Sequence, residues 1–294
     1  MYIKDHLSFW IDFLTRTEPL SVPKLNEQDY QRLDHYFKIS TPFQLNAGVP
    51  VNHVPLIKKT GYAYDWYRIF DRSDNRACLY LFGDIQYTPE QPTFCKSRPL
   101  RSLNDNNVLL PLNTVRHLKF MDDRLPFEKK RNNAVWRGAV YKDHRKKFLG
   151  STQKSPFCDV CDTSLHTPKN WLGQSINFLS IEEQLKSKFI FAIEGNDVAS
   201  NLKWIMHSNS IPVMPRPRFE TWACEGLLVA GQHFIEIADD FSNIDDTIEY
   251  YLGQPKLLAE INTESKQFIS QFTELDKQFA LAKIVADRYF AMVV

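Results

Sequence analysis

Asp84 is the first residue whose position suggests chemistry. It follows Gly83 and a continuous apolar run, residues 77–82. Such a run is typical of a strand buried on both faces of a parallel sheet, and open α/β sheets bind ligands beyond the carboxyl ends of their strands. A carboxylate at that point can act as a general base toward an attacking hydroxyl. An ordinary turn or capping role for Asp84 fits the sequence equally well.

The decapeptide EGNDVASNLK, residues 194–203, is a candidate anion site. An apolar strand runs into Gly195, and the pattern predicts a helix that begins near Asp197 or Val198, with Ser200 in its first turn. Free N–H groups and the helix dipole at such a start favour phosphate. A second interpretation stays open, because the Asp197 carboxylate can itself cap the helix.

Two arginines form a second candidate anion site. Arg137 follows a short predicted strand, and Arg145 lies in a basic stretch, residues 142–147. The planar guanidinium fork donates two parallel charge-assisted hydrogen bonds, which suits a diphosphate. A basic run of this kind is also typical of a solvated helix face.

Several other kinds of site lack their motifs. The sequence has no GxGxxG, GxxxxGK[ST], GxSxG or HExxH motif, so dinucleotide, P-loop, hydrolase and zincin mechanisms are disfavoured. Cys158 and Cys161 form a single CxxC pair, which favours two ordinary thiols near a turn over structural zinc. No Asp-x-Asp pair is present to hold a divalent ion against a diphosphate. We therefore expect an anion site without a metal.

The elements that position these residues alternate between strand and helix in the second half. Ser180 and Glu183 have the spacing of a capping box, and the charged segment 122–133 is a candidate linker. Strand–helix–strand alternation is typical of βαβ units with a right-handed crossover. The predicted strands cover residues 134–136, 189–193 and 211–214, and the predicted helices cover residues 198–208, 245–258 and 265–294.

Composition limits the class of protein. The 294 residues are 43% hydrophobic and 24% charged, which excludes disorder, collagen and coiled coil. The formal charge of +1 provides no global field for nucleic acid, and five sparsely placed cysteines indicate a cytoplasmic, reducing location. The charged N-terminus lacks the apolar core of a signal peptide. An apolar face there predicts a core helix rather than a membrane-surface helix, formed by Leu7, Trp10, Ile11 and Leu14.

Several short motifs follow one another along the chain. They are FGD at residues 82–84, KSRP at 96–99, WRG at 136–138, EGNDVASNLK at 194–203, and ETW with EG between residues 220 and 226. Their order resembles that in glycosyltransferase family 90, in particular its bacterial lipopolysaccharide branch. The family also includes protein O-glucosyltransferases and fungal capsule xylosyltransferases. The likeness covers roughly residues 75–255.

The resemblance implies an α/β fold of the GT-B type, with two Rossmann-like domains that face each other across a cleft. It implies an acceptor-side domain over residues 1–125 and a nucleotide-sugar-binding domain over residues 126–274, with residues 275–294 crossing back onto the first. The resemblance implies a UDP-sugar donor, and no metal or other cofactor is expected. The expected partners are this donor and a glycan or glycolipid acceptor, with at most peripheral contact with the inner face of the cytoplasmic membrane.

The resemblance also implies roles for single residues. Asp84 matches the catalytic aspartate, Arg145 matches an arginine on the donor diphosphate, and residues 198–200 match the segment that cradles the donor. Two positions depart from eukaryotic members, which have an arginine at Asn201 and a serine at Ala139. The predicted donor contacts are Arg137, Arg145, Asp197, Val198, Ala199, Ser200, Asn201 and Lys203, and the further substrate contacts are Lys96, Ser97, Arg98 and Glu220.

Together these features predict an inverting, metal-independent glycosyltransferase that moves a sugar from a UDP-sugar to a glycan hydroxyl, in lipopolysaccharide or surface-polysaccharide synthesis. Lys203 is expected to supply the charge missing at Asn201. A non-catalytic module that binds a nucleotide or phosphoglycan is the alternative. Phe9, Trp10 and Phe13 are the candidate membrane contact.

Overall fold

The computed structural model of the chain describes residues 24–55, 60–100, 103–164, 167–170, 173 and 175–294. The helix predicted from Leu7 to Leu14, and the candidate membrane contact on it, lie outside these residues. The described residues form a mixed α/β fold with parallel sheets in both halves of the chain. The predicted α/β class is therefore confirmed.

The first half contains a small parallel sheet flanked by helices. Its strands run in the order β3-β4-β6, while β1 and β2 form a separate antiparallel pair. The helices are α1 (Glu27–Tyr36), α2 (Thr60–Ile69) and α3 (Thr114–His117), and the strands are β1 (Val49–Pro50), β2 (Ala77–Cys78), β3 (Tyr80–Leu81), β4 (Thr93–Cys95), β5 (Ser97–Pro99) and β6 (Asn107–Leu109).

Two predictions for this half need correction. The apolar run 77–82 is not one strand, because the chain changes sheets at Leu79, whose N–H bonds the Tyr289 hydroxyl 3.2 Å away. Prolines at residues 89, 92 and 99 predict a loop after this run, but the stretch is not all loop. Although three prolines lie nearby, Lys96 separates two short strands, and β5 leaves the parallel sheet to pair elsewhere.

The second half is built on a five-stranded parallel sheet in the order β8-β7-β9-β10-β12. The chain first adds β8 on one side of β7 and then β9 on the other, so the order reverses between β7 and β9. The strands of this half are β7 (Arg131–Gly138), β8 (Cys158–Asp162), β9 (Ser187–Phe191), β10 (Ile211–Met214), β11 (Phe219–Thr221) and β12 (Ile235–Glu236), of which β11 lies outside the five-stranded sheet. The helices are α4 (Asp143–Thr152), α5 (Ile181–Gln184), α6 (Leu202–His207), α7 (Ile244–Leu252), α8 (Pro255–Ser270) and α9 (Leu275–Met292).

Local sequence explains where several of these helices begin. Ser180 caps α5 by accepting a hydrogen bond from the Glu183 N–H at 3.2 Å, so the Ser180 half of the predicted capping box is confirmed. The C-terminal helices were predicted with the wrong boundaries. Proline lacks an N–H and suits the first turn of a helix, so Pro255 begins α8 instead of continuing α7. Cys158 and Cys161 are free thiols on β8 rather than near a turn.

The core of the first half is aromatic and includes part of the C-terminal helix. Trp66, Phe94 and Tyr289 are fully buried, and the Phe94 and Tyr289 ring centroids lie 4.2 Å apart. Burying one such side chain stabilises a fold by about 1.5–3 kcal/mol. Leu281 and Val285 lie on the same buried face of α9. This helix thereby packs against α1 and α2 at the other end of the sequence.

A two-stranded antiparallel ribbon joins the two halves. Strand β5 pairs with β11, so that Ser97 lies opposite Thr221 and Arg98 lies opposite Glu220. Neighbouring side chains of a strand point to opposite faces. Ser97 and Arg98 therefore point to opposite faces of the ribbon and contact different residues.

Candidate active site

Asp84 lies just beyond the end of β3. Gly83 has a φ of 136°, a conformation that favours glycine, and it turns the chain so that Asp84 leaves the strand. One carboxylate oxygen accepts a hydrogen bond from Lys96 Nζ at 2.7 Å, and the other accepts one from Asn196 Nδ2 at 3.1 Å. The side chain remains 24% exposed. Asp84 is thus held from two sides and still open to a substrate.

Lys96 connects Asp84 to a second carboxylate. Its Nζ lies 2.7 Å from Asp84 Oδ1 and 2.7 Å from Asp197 Oδ2, and its side chain is only 1% exposed. Burial raises the pKa of Asp84, but the hydrogen bond and charge of Lys96, together with Asn196 and Arg116, outweigh burial and bring this pKa below its ordinary value. Asp84 is therefore ionised at neutral pH, as a general base must be.

The Asp197 carboxylate does not cap the following helix, as one interpretation of the sequence allowed. This carboxylate turns to the first half, where it accepts a hydrogen bond from Ser97 Oγ at 2.7 Å as well as from Lys96. Burial raises the pKa of Asp197, and the neighbouring charge of Lys96 opposes that rise. Asp197 therefore links the turn after β9 to the residues beside Asp84.

The helix predicted to start near residue 197 begins later. Helix α6 starts at Leu202, and residues 198–201 form turns in which the Leu202 N–H donates to the Ala199 carbonyl at 3.2 Å. Asn201 Nδ2 bonds the Phe191 carbonyl at 2.9 Å and ties this turn to the end of β9. Ser200 is consequently part of a turn and not of the first helical turn.

Arg145 occupies the crevice where the strand order reverses. Its guanidinium donates to the carbonyls of Ala139, Ile193 and Glu194 at 2.7–3.0 Å, at the carboxyl ends of β7 and β9. A side chain at Gly195 would meet this guanidinium, since a Cβ there would lie 3.3 Å from Arg145 Nη2. In open α/β sheets this switch point is the usual ligand crevice.

The charge of Arg145 is not neutralised within the described part of the chain. No carboxylate there forms an ion pair with it, and its polar partners are backbone carbonyls. Burial, followed by the charge of Arg116, lowers the pKa of Arg145 to about 10, so the guanidinium stays charged at neutral pH. A partly buried cation without a counter-ion is suited to an anionic ligand.

Arg116 is a candidate site residue that the sequence did not reveal. It is exposed, it lies on α3 next to His117, and the His117 Nε2 is 3.4 Å from Lys96 Nζ. Its charge acts on both Asp84 and Arg145, lowering the pKa of each after the larger effects already described. No local motif marks a single arginine in a four-residue helix, so only the tertiary structure could identify it.

Two predicted donor contacts point elsewhere. Arg137 donates to the Asp159 carboxylate and to the Asn177 carbonyl, each at 2.7 Å, and so is neutralised beside β8. Lys203 is fully buried in an ion pair with Glu225 and cannot replace the arginine missing at Asn201. The structure thus brings Arg145, but neither Arg137 nor Lys203, to the crevice with a free charge.

The predicted substrate contacts Lys96, Ser97, Arg98 and Glu220 are all buried, with at most 1% of each residue exposed. Glu220 accepts hydrogen bonds from Arg98 Nε at 2.6 Å and pairs with His35 Nε2 at 2.8 Å. Arg98 and Glu220 thereby link β5 to β11, whereas Lys96 and Ser97 contact the carboxylates of Asp84 and Asp197. The sequence singled out these residues by their chemical type. It did not indicate that residues 96–98 are buried, because the nearby prolines favour an exposed loop.

A cavity of about 140 Å³ adjoins the crevice. It lies beyond the carboxyl ends of β9 and β10, beside Val198 and Ala199. Its rim includes Arg218, which pairs with Glu194 at 2.8 Å. Apolar walls with a few charged groups are typical of small-molecule sites. The other lining residues include His144, Met214, Pro217, Phe219 and Asp239.

Comparison with known proteins identifies the chain. The family model described as Glycosyl transferase family 90 matches residues 108–289. The chain belongs to glycosyltransferase family 90. It is also 39% identical over 266 residues to the O-glucosyltransferase LpsA of Dichelobacter nodosus, a match that covers 89% of this chain and 82% of that protein. The predicted family is therefore confirmed, and glycosyl transfer is the reaction that its membership supports.

Among the described residues, no helix is both long and apolar enough to cross a bilayer. The His, Cys, Asp and Glu side chains of these residues also form no group of three suited to a metal ion.

Proposed function

We propose that this family 90 member is an inverting, metal-independent glycosyltransferase that moves a sugar from a UDP-sugar to a glycan hydroxyl. The observation that carries the proposal is the meeting of Asp84 from the first half with Asp197 from the second, through Lys96, beside a free cation at the switch point. A single displacement at the anomeric carbon needs a base for the acceptor and a site for the leaving diphosphate, on elements that face each other.

The proposed reaction uses Asp84 as the general base. It takes the proton of the acceptor hydroxyl as that oxygen bonds to the anomeric carbon, and the bond from this carbon to the diphosphate breaks. The nucleoside diphosphate leaves with the electron pair. A positioned base contributes about 10²- to 10⁴-fold to such a step. Because attack and departure occur on opposite faces, the anomeric configuration inverts.

Arg145 and Arg116 would stabilise the charge that develops on the leaving diphosphate. Arg145 lies at the carboxyl ends of β7 and β9, and the exposed Arg116 on α3 is near enough for its charge to lower the pKa of Arg145. Fixed cations aimed at developing charge need no reorganisation during the reaction. We assign the nucleoside to the adjoining cavity beside Val198 and Ala199.

This proposal includes the GT-B arrangement of two domains across a cleft. It is supported by a separate parallel sheet in each half and by the packing of α9 on α1 and α2. The name of the Dichelobacter nodosus relative supports glucose as the transferred sugar. A lipopolysaccharide or other surface glycan remains our proposed acceptor, with the reaction in the cytoplasm or at the inner face of its membrane.

A thermal-shift comparison of UDP, GDP, ADP and CDP tests the donor class. A ligand at 100 times its Kd stabilises the native state by about 2.7 kcal/mol, so UDP should raise the Tm most. UDP release from UDP-glucose then tests turnover, and ¹H NMR of freshly formed glucose should show the β anomer first. UDP binding without turnover, even with glycan acceptors, would instead indicate the binding module.

A further inference from the structure

Lys96 is a buried cation shared by two carboxylates from different halves of the chain. Its three N–H groups have three neighbours: Asp84 and Asp197, each 2.7 Å away, and His117 Nε2 at 3.4 Å. Burial, with help from the charge of Lys96, lowers the pKa of His117 well below its ordinary value, so His117 is a neutral acceptor. The ammonium is therefore fixed in place and cannot reach a substrate.

We propose that Lys96 is the positioning residue of Asp84, and that Asp197 keeps the Lys96 charge balanced while Asp84 carries a proton. This inference rests on the proposed role of Asp84 as general base. It assigns separate functions to the two carboxylates: Asp84 is 24% exposed and meets the acceptor, whereas Asp197 is 5% exposed and meets only protein.

The orientation of Asp84 follows from its two oxygens. Lys96 binds Oδ1, and Asn196, which belongs to the second half, binds Oδ2. Without Lys96, only the longer Asn196 contact of 3.1 Å would remain of these two bonds. A misplacement of about 1 Å at a reacting group can cost about 10²-fold in rate. Loss of Lys96 should therefore lower turnover even though Asp84 itself is intact.

Asp197 matters at the moment of proton transfer. When Asp84 accepts the proton of the acceptor hydroxyl, it loses its negative charge. Lys96 would then be an unpaired buried cation, which is costly, if Asp197 were absent. Because Asp197 Oδ2 stays 2.7 Å from Lys96 Nζ, the ammonium keeps one counter-ion throughout the step.

Lys96 and Asp197 should have opposite effects on the pKa of Asp84. Lys96 favours the ionised form of Asp84, whereas Asp197 is a like charge that disfavours it. Arg116 on α3 also favours ionisation of Asp84. Among the described residues, other titratable groups near this cluster are Tyr62 on α2, which acts on Lys96, the neutral His117 on α3, and Lys203 on α6, whose charge acts on His117. Neutralising Lys96 and neutralising Asp197 should thus move the titration of Asp84 in opposite directions.

The test compares Lys96→Gln, Lys96→Arg and Asp197→Asn with wild type. UDP release from UDP-glucose is measured against pH, and the Asp84 carboxyl is followed by ¹³C NMR, assigned with Asp84→Asn. We expect Lys96→Gln to lose about 10²-fold in kcat and to shift both the acid limb and the NMR titration to higher pH. Lys96→Arg should restore the limb, and Asp197→Asn should move it to lower pH.

Lys130→Gln is the matched control. Lys130 is also a buried lysine, and its Nζ lies 2.8 Å from Asp123 Oδ2, but no contact connects it to Asp84 within the described residues. It should lose stability without moving the acid limb. This comparison separates a positioning role from a general loss of packing, which would affect Lys96→Gln and Lys130→Gln alike.

Unshifted titrations in Lys96→Gln and Asp197→Asn, or shifts of both in the same direction, would overturn the inference. If Lys96→Gln does not fold, the sign of the Asp197→Asn shift decides alone. Wild-type protein that binds UDP but releases none from UDP-glucose would reject the proposed function instead. The NMR titrations would still test the coupling between Lys96 and Asp84. Failure of the proposed function and failure of this inference are therefore distinguishable.

Discussion

Replacing Arg145 with alanine should weaken UDP binding because the free charge of the crevice would be lost. Arg145 has only backbone carbonyls as polar partners among the described residues, and it lies where the strand order reverses. A hydrogen bond to a charged group contributes about 1.5–3 kcal/mol. At about 1.4 kcal/mol per tenfold change, the Kd for UDP should rise about 10- to 150-fold.

Arg137→Ala is the matched control for this experiment. Arg137 also donates to backbone carbonyls beside the same sheet, but Asp159 neutralises it at 2.7 Å. Each variant removes three hydrogen bonds to backbone carbonyls, which costs about 3 kcal/mol of folding stability at about 1 kcal/mol per bond. The two variants should therefore lose similar stability and differ in UDP affinity.

Isothermal titration calorimetry with UDP, after the Tm of each variant is measured, provides the comparison. Arg145→Lys should retain part of the affinity, because it keeps the charge but loses the planar fork. An unchanged Kd in Arg145→Ala would remove Arg145 from the diphosphate site. Equal losses in Arg145→Ala and Arg137→Ala would show that a free charge at the switch point is not what selects the ligand.

Three further predictions follow from the site and its supports. Asp84→Asn should lower UDP release about 10²- to 10⁴-fold with little change in the Kd for UDP, and undiminished turnover would reject Asp84 as the base. EDTA should leave turnover intact; a strict need for Mn²⁺ or Mg²⁺ would contradict the metal-independent proposal. Asp65 caps α3 at Thr114, and burial raises its pKa from 3.8 to about 7. Between these pH values unfolding therefore releases the Asp65 proton. The stability of wild type relative to Asp65→Asn should consequently fall as pH rises through this range. Urea unfolding at pH 5 and pH 8 measures this, and a difference independent of pH would refute it.

The amino-acid sequence was sufficient for features that depend on neighbours along the chain. The apolar run over residues 211–214 is strand β10 with the predicted bounds, and Ser180 caps the helix that its spacing indicated. Short-range patterns of this kind are encoded by side-chain type and backbone preference alone. The order of the motifs also sufficed to identify the family, which the comparisons confirm.

Patterns failed where a distant part of the chain competes for the same residues. The run over 77–82 has the composition of one strand, yet Tyr289, some 210 positions later, takes the N–H of Leu79. Likewise, Lys203 belongs to a motif that suggests a donor contact, but Glu225 pairs with it inside the fold. A single sequence does not show such pairings, because a charged residue looks the same whether it is free or neutralised.

The sequence by itself determined the family, the α/β class and the kinds of chemical group available: one carboxylate after a strand, and arginines near strand ends. Only the tertiary structure decided which of these groups are free. It distinguished Arg145 from Arg137, brought Arg116 into the site, and joined Asp84 to Asp197 through Lys96. The physical reason is that ionisation and availability depend on burial and on partners within a few ångströms, which folding assembles from remote positions.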